Sequence, residues 1–144
     1  MTAGDDDLAR RCAEAMWAGD RASQALGMTI EAIAPGRAVL SMPVREDMVN
    51  GHALCHGGFI FTLADSAFAF ACNTYGQRTV AHHCAVTFLA PARLGDRLVA
   101  TAVERFRKGR SGIYDVTVTD AAGTRVAEFR GHSRTIAGAL LPET

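Results

Sequence analysis

Asp65 is the only charged residue between His56 and Arg78. Around it stand Phe59, Ile60, Phe61, Leu63, Ala64, Ala67, Phe68, Ala69, Phe70, Ala71 and Cys72. Aspartate is rarely buried without a partner. A carboxylate desolvated by apolar neighbours has a raised pKa, which suits a general base; the plainer alternative is a carboxylate that only ties down a loop. Just upstream lies a glycine pair, Gly57-Gly58, preceded by Leu54, Cys55 and His56. None of these is Ser, Thr, Asp or Asn, so no ordinary side-chain cap is expected and the first-turn amides are left as free donors. Glycine lets a ligand approach the backbone closely. Bare amides at the positive end of a helix can hold an oxyanion.

These two groups cannot meet within one chain. Gly57 and Asp65 are eight residues apart, roughly 12 Å along a helix. A base acts within about 3 Å of the reacting atoms. Two such helices packed antiparallel about a two-fold axis would bring each Asp65 to the other chain's Gly57, so a homodimer with two interfacial sites is expected.

The element that positions them is a helix, apolar nearly all round, from about Gly57 to Tyr75, with Asn73 and Gly76 as its stop signal. Thr62, Asp65 and Ser66 share one face. Upstream, Asp5 to about Gln24 reads as an amphipathic helix on the outside of the domain, with Trp17 as a packing residue. Met28–Ala34 and Ala38–Val44 read as strands about a Pro35-Gly36 turn. Val44–His56 is a polar loop holding Asn50. Four segments then have strand character: Thr79–Leu89, Arg97–Arg107, Ile113–Thr119 and Thr124–Ile136. In the first, Val80, His82, Cys84, Val86 and Phe88 are expected on one face. The tail from Ala137 is expected to be loose. Tight turns make the second half antiparallel, so an α+β domain with one sheet and a buried helix on one face is the economical packing.

The 144 residues suit one domain, with a core over about 25–136. Fifteen basic and fifteen acidic residues balance, so nothing draws the whole chain to nucleic acid or an anionic membrane. The first residues, MTAGDDDLARR, lack the apolar run of a signal peptide, and the longest apolar run, Ala67–Cys72, is far short of a span of about 20 residues. A cytoplasmic protein is expected. The four cysteines form no CxxC pair, which favours reduced thiols. Cys55, His56, His82, His83 and Cys84 could be drawn as zinc ligands, but adjacent residues rarely converge on one ion, and no metal is expected. Cys55 has no positioned base that would make it a nucleophile. The turn Arg105–Arg110 places four cations in six residues, either a phosphate site or a solvated hairpin end.

The run VNGHALCHGGFIFTLADSAFAFACN, continued by TVAHHCAVTFLAPARLGDRL and SGIYDVTV, resembles the hotdog-fold acyl-CoA thioesterases, in particular those of phenylacetate degradation. The likeness covers about residues 25–136. It implies an antiparallel sheet wrapped round a long central helix, with homodimers paired into homotetramers. It implies hydrolysis of acyl-CoA, arylacetyl-CoA such as phenylacetyl- or hydroxyphenylacetyl-CoA, with no cofactor beyond the CoA of the substrate. Carried over by position, Asp65 would be nucleophile or general base. The Gly57 amide would bind the thioester oxygen and His56 would polarise or orient that group. Asn50 would hold the carboxylate or water, and Ser66 would be the small hydroxyl residue near the carboxylate. With an acyl-CoA substrate, the basic turn offers Arg107, Lys108, Gly109, Arg110 and Ser111 as candidates for the CoA phosphates, the solvated hairpin end remaining the alternative. Taken alone, His56 could instead be a backbone-bonded loop histidine and Asn50 a turn former. The competing activities are a hotdog-fold enoyl-CoA hydratase or dehydratase and a non-catalytic acyl-CoA sensor.

Overall fold

The computed structural model describes residues 2–142. Six strands form one antiparallel sheet: β1 (Thr29–Ala34), β2 (Arg37–Pro43), β3 (Gln77–Phe88), β4 (Arg97–Lys108), β5 (Ser111–Thr119) and β6 (Arg125–Ala139). Their order is β1-β2-β4-β5-β6-β3. Among the described residues three α-helices, α1 (Ala3–Gly19), α2 (Arg21–Ala25) and α3 (Gly57–Cys72), and a short 3-10 helix, Glu46–Met48, accompany them. α3 lies on one face of the sheet and touches all six strands. Its Leu63, Ala64, Ala67, Phe68, Phe70 and Ala71 are buried against Leu40, Met42, Leu98, Val116 and Phe129. The small residues Ala64, Ala67 and Ala71 let the helix approach the sheet closely. Gly131 of β6 continues this: a methyl group there would lie 2.8 Å from the Phe68 ring.

The expected helix over Asp5–Gln24 is two helices. Thr2 starts the first with a reciprocal cap to Asp5, and Asp20 breaks it by capping the second, accepting from the Ser23 amide at 3.0 Å. The side chains of Ser, Asp and Asn compete in this way for backbone groups, which favours caps and helix breaks. Trp17 packs on Phe70, with ring centroids 6.3 Å apart.

α3 ends at Cys72 rather than Tyr75. Asn73 does more than stop it: Asn73 Nδ2 donates to the Thr79 carbonyl and Oδ1 accepts from the Thr79 amide, both at 2.9 Å. This fastens the helix end to the start of β3. β6 runs on to Ala139, so the first residues of the expected loose tail are paired, Ala139 with Gln77; residues 143 and 144 of that tail lie outside the described residues.

The single face expected for β3 is also corrected. The β3–β6 register shifts between Ala81 and His83, a bulge with His82 as its extra residue. Cys84 and Val86 pack toward the core, whereas Val80 is exposed. One inserted residue reverses every side chain before it relative to those after it.

Candidate active site

The loop entering α3 is held by backbone bonds. The His56 amide donates to Met48 and the Cys55 amide to Ala92, each at 2.8 Å. His56 occupies the N-cap position, and its Nδ1 accepts from the Gly58 amide at 3.0 Å. The absence of an ordinary cap residue therefore does not leave the whole first turn bare, because the imidazole takes one donor. Accepting at Nδ1 leaves the proton of a neutral ring on Nε2, facing away from the cap. The Phe59 amide is bonded back to His56 O at 3.0 Å. The Gly57 amide meets no acceptor among the described residues. A methyl group on Gly57 would lie 2.9 Å from Phe88 Cζ, so glycine keeps this approach open beneath an aromatic ring.

Asp65 is half-buried on α3. Burial among apolar groups pushes its carboxyl above the usual aspartate range. No hydrogen bond or ion pair to its carboxylate forms among the described residues. It is thus neither a loop tie nor half of an internal salt bridge. Thr62 and Ser66, on the same face, are engaged elsewhere. Thr62 Oγ1 donates to Gly58 O at 2.8 Å. Ser66 Oγ lies 2.8 Å from Ser23 Oγ, which donates to Asp20 at 2.7 Å; Ser66 therefore docks α2 onto α3.

Asn50 is exposed, and its Oδ1 accepts from the His52 amide at 2.9 Å and the Leu54 amide at 3.3 Å. It builds the loop before α3, where Ala53 takes a positive φ of 59°. Its Nδ2 group remains as a donor. Cys55 is buried and its thiol is pushed up by desolvation, the opposite of what a nucleophile needs.

The basic turn is divided. Arg105 pairs with Asp115 at 3.0 Å. Arg107 stacks on Tyr75, 3.5 Å from the ring centroid, and pairs with Glu104 at 3.6 Å. Lys108 and Arg110 have no acidic partner among the described residues. Gly109, with φ of 60°, makes the turn, and Ser111 opens β5. Behind Arg107 stands a network that sequence reasoning missed. Glu104 Oε1 accepts from Tyr114 at 2.8 Å and from Tyr75 at 2.9 Å, and burial together with Glu104 raises the pKa of both phenols. The single acidic residue in the strand-patterned run Arg97–Arg107, Glu104, was the available signal. Beside it a cleft of about 420 Å³ is lined by Pro35, Thr74, Tyr75, Glu104 and Arg107. A larger groove, about 840 Å³, lies between α1 and β1. It holds none of the residues singled out for chemistry.

Within one chain, then, the Gly57 amide and the Asp65 carboxylate sit on one helix but apart, roughly 12 Å along its axis. Residues 52–127 match the family model of the thioesterase superfamily. The acyl-coenzyme A thioesterase PaaI of Escherichia coli (strain K12) is 44% identical over 131 residues, 91% of this chain and 94% of that one. The solved structure of the E. coli PaaI protein superposes with a TM-score of 0.92 at 42% identity, covering 93% of this chain and 97% of the other. The TT0310 protein of Thermus thermophilus has a TM-score of 0.78 at 41% identity, over 81% and 98% of the two chains. The sheet round a long helix is the hotdog thioesterase fold, and this chain belongs to the thioesterase superfamily.

Proposed function

We propose that this chain hydrolyses acyl-CoA thioesters to free acid and CoA in the cytoplasm, with arylacetyl groups such as phenylacetyl as the preferred acyl part. The reaction class rests on its superfamily membership and its 44% identity to an acyl-coenzyme A thioesterase. The acyl class rests on the likeness to PaaI of the phenylacetic acid degradation operon. The observation that carries the mechanism is the unpaired, half-buried Asp65 on the same helix as the free Gly57 amide.

Catalysis then needs a second copy. β3 is an edge strand of twelve residues, and Val80, Phe88 and Leu89 are exposed on or beside it. An open edge of this length is a template for pairing with another chain. Antiparallel pairing there sets two α3 helices side by side, each Asp65 toward the other Gly57. The amide holds the thioester oxygen as negative charge builds, an effect worth about 3 kcal/mol. Asp65 either activates water, or attacks the carbonyl carbon to form a mixed anhydride; in both cases the C–S bond breaks and the thiolate of CoA leaves, and in the second water then hydrolyses the anhydride to free acid and restores the carboxylate. His56 aligns the first turn through Nδ1 and presents Nε2–H to the acyl group. Asn50 Nδ2 orients the water, and Lys108, Arg110 and the backbone at Gly109 and Ser111 receive CoA phosphates with Arg107 behind them. Dimers pair further into tetramers. No metal or other cofactor takes part.

Co-expression of Asp65→Asn with Gly57→Ala chains tests the shared site. Each parent homodimer has every site damaged, whereas a mixed dimer carries one intact site, so random pairing should restore up to about a quarter of native turnover. Persistent inactivity of verified mixed dimers would refute it. Thiol release from an acyl-CoA panel reads the acyl preference.

A further inference from the structure

Away from that site the sheet brings two imidazoles together. His83 on β3 and His132 on β6 are direct cross-strand partners. Their ring centroids are 5.5 Å apart at an interplanar angle of 71°. The bulge at His82 creates this pairing: without the extra residue, His83 would not stand opposite His132. Their neighbours Cys84 and Gly131 pair in the next register position and pack on the core side. The two histidines therefore lie on the sheet face away from α3.

Neither ring makes a side-chain hydrogen bond or ion pair among the described residues. On β5, Ile113 lies beside His132 and offers no competing donor. Arg130, two residues before His132, is held by Asp115 at 2.7 and 2.9 Å, which offsets its charge. Arg134, opposite Val80, is the remaining nearby cation. Directly opposed residues on antiparallel strands have Cβ atoms about 4.5–5.5 Å apart, so a modest turn of each ring aims one nitrogen of each at a common point about 2.0–2.1 Å away. Among the described residues no group of three or more His, Cys, Asp or Glu side chains is gathered to hold a metal ion. The pair is therefore an open two-ligand site rather than a closed structural one.

We propose that His83 and His132 bind one divalent transition-metal ion per chain, of the class imidazole prefers (Cu²⁺, Ni²⁺ or Zn²⁺), with water in the remaining positions. The ion is not catalytic. It binds only when β3 and β6 are paired, so it staples the edge strand and stabilises the folded chain by mass action.

Zn²⁺ calorimetry and thermal melting on the full chain, with Co²⁺ absorption as a ligand report, test this. The expected result is one ion per chain, a melting temperature that rises with Zn²⁺, and a Co²⁺ spectrum without thiolate charge transfer. Binding and the rise should both be lost in His83→Gln and in His132→Gln, and kept in His52→Gln; unchanged circular dichroism shows that the variants fold. No binding by the native chain, binding that survives loss of either pair member, or a cobalt–thiolate band would overturn the proposal. Thioesterase turnover is not the readout, so the metal site and the catalytic reading fail independently.

Discussion

His56 Nδ1 accepts the Gly58 amide at 3.0 Å, immediately beside a Gly57 amide that has no such tie. One residue thus takes the second helix amide into a cap, while the first has no acceptor among the described residues. His56→Ala should cost about 0.5–2 kcal/mol of stability, the usual loss for a helix cap. His56→Asn should recover most of that while still lacking Nε2–H. Chemical denaturation read alongside turnover separates the two roles: a stable but slow Asn variant is expected.

Asp65→Asn should lower turnover by about 10²–10⁴-fold, the range for a positioned base, with the fold intact. Its effect on stability depends on pH. The carboxyl is raised above its ordinary value of 3.8 by burial, so the native state holds its proton more tightly than the unfolded chain does. That contribution is complete below the unfolded pKa and is lost as pH rises through the folded one. The variant should therefore gain stability relative to the native chain as pH climbs above about 4. Activity moves the other way, rising as Asp65 ionises. Parallel denaturation curves for the two proteins between acid and neutral pH would contradict this.

Gly57→Ala would place a methyl group 2.9 Å from Phe88 Cζ. Phe88 is half exposed and can give way, so folding should survive. Access to the amide should not, and a drop of about a hundredfold in kcat/KM is expected for misplacement on this scale. Combining it with Phe88→Ala should restore part of the rate. A single variant as fast as the native chain would remove Gly57 from the site.

Tyr114→Phe deletes a buried hydroxyl that donates to Glu104 at 2.8 Å. A hydrogen bond to a charged group contributes about 1.5–3 kcal/mol, and the melting temperature should fall accordingly. Because Glu104 also orders Tyr75 and Arg107, KM for acyl-CoA should rise more than kcat falls. A change confined to kcat would detach this network from CoA binding.

The apolar run of α3 and the lone Asp65 were legible in the residues, because helix periodicity and an isolated carboxylate are local signals. So were the antiparallel strands, written in alternation and in turn residues such as Pro35-Gly36. Three things were decided only by the fold. The bulge at His82 depends on what β6 presents opposite it, so the faces of β3 could not be read from alternation. The cap by His56 depends on how the loop from Met48 to Cys55 orients the imidazole. The freedom of the Asp65 carboxylate depends on Ser66 turning to Ser23 and Thr62 turning to Gly58, which are long-range and backbone choices respectively. Residue types and spacing set which chemistry was available. Packing of the strands and loops against α3 decided which donors were already used and which were left.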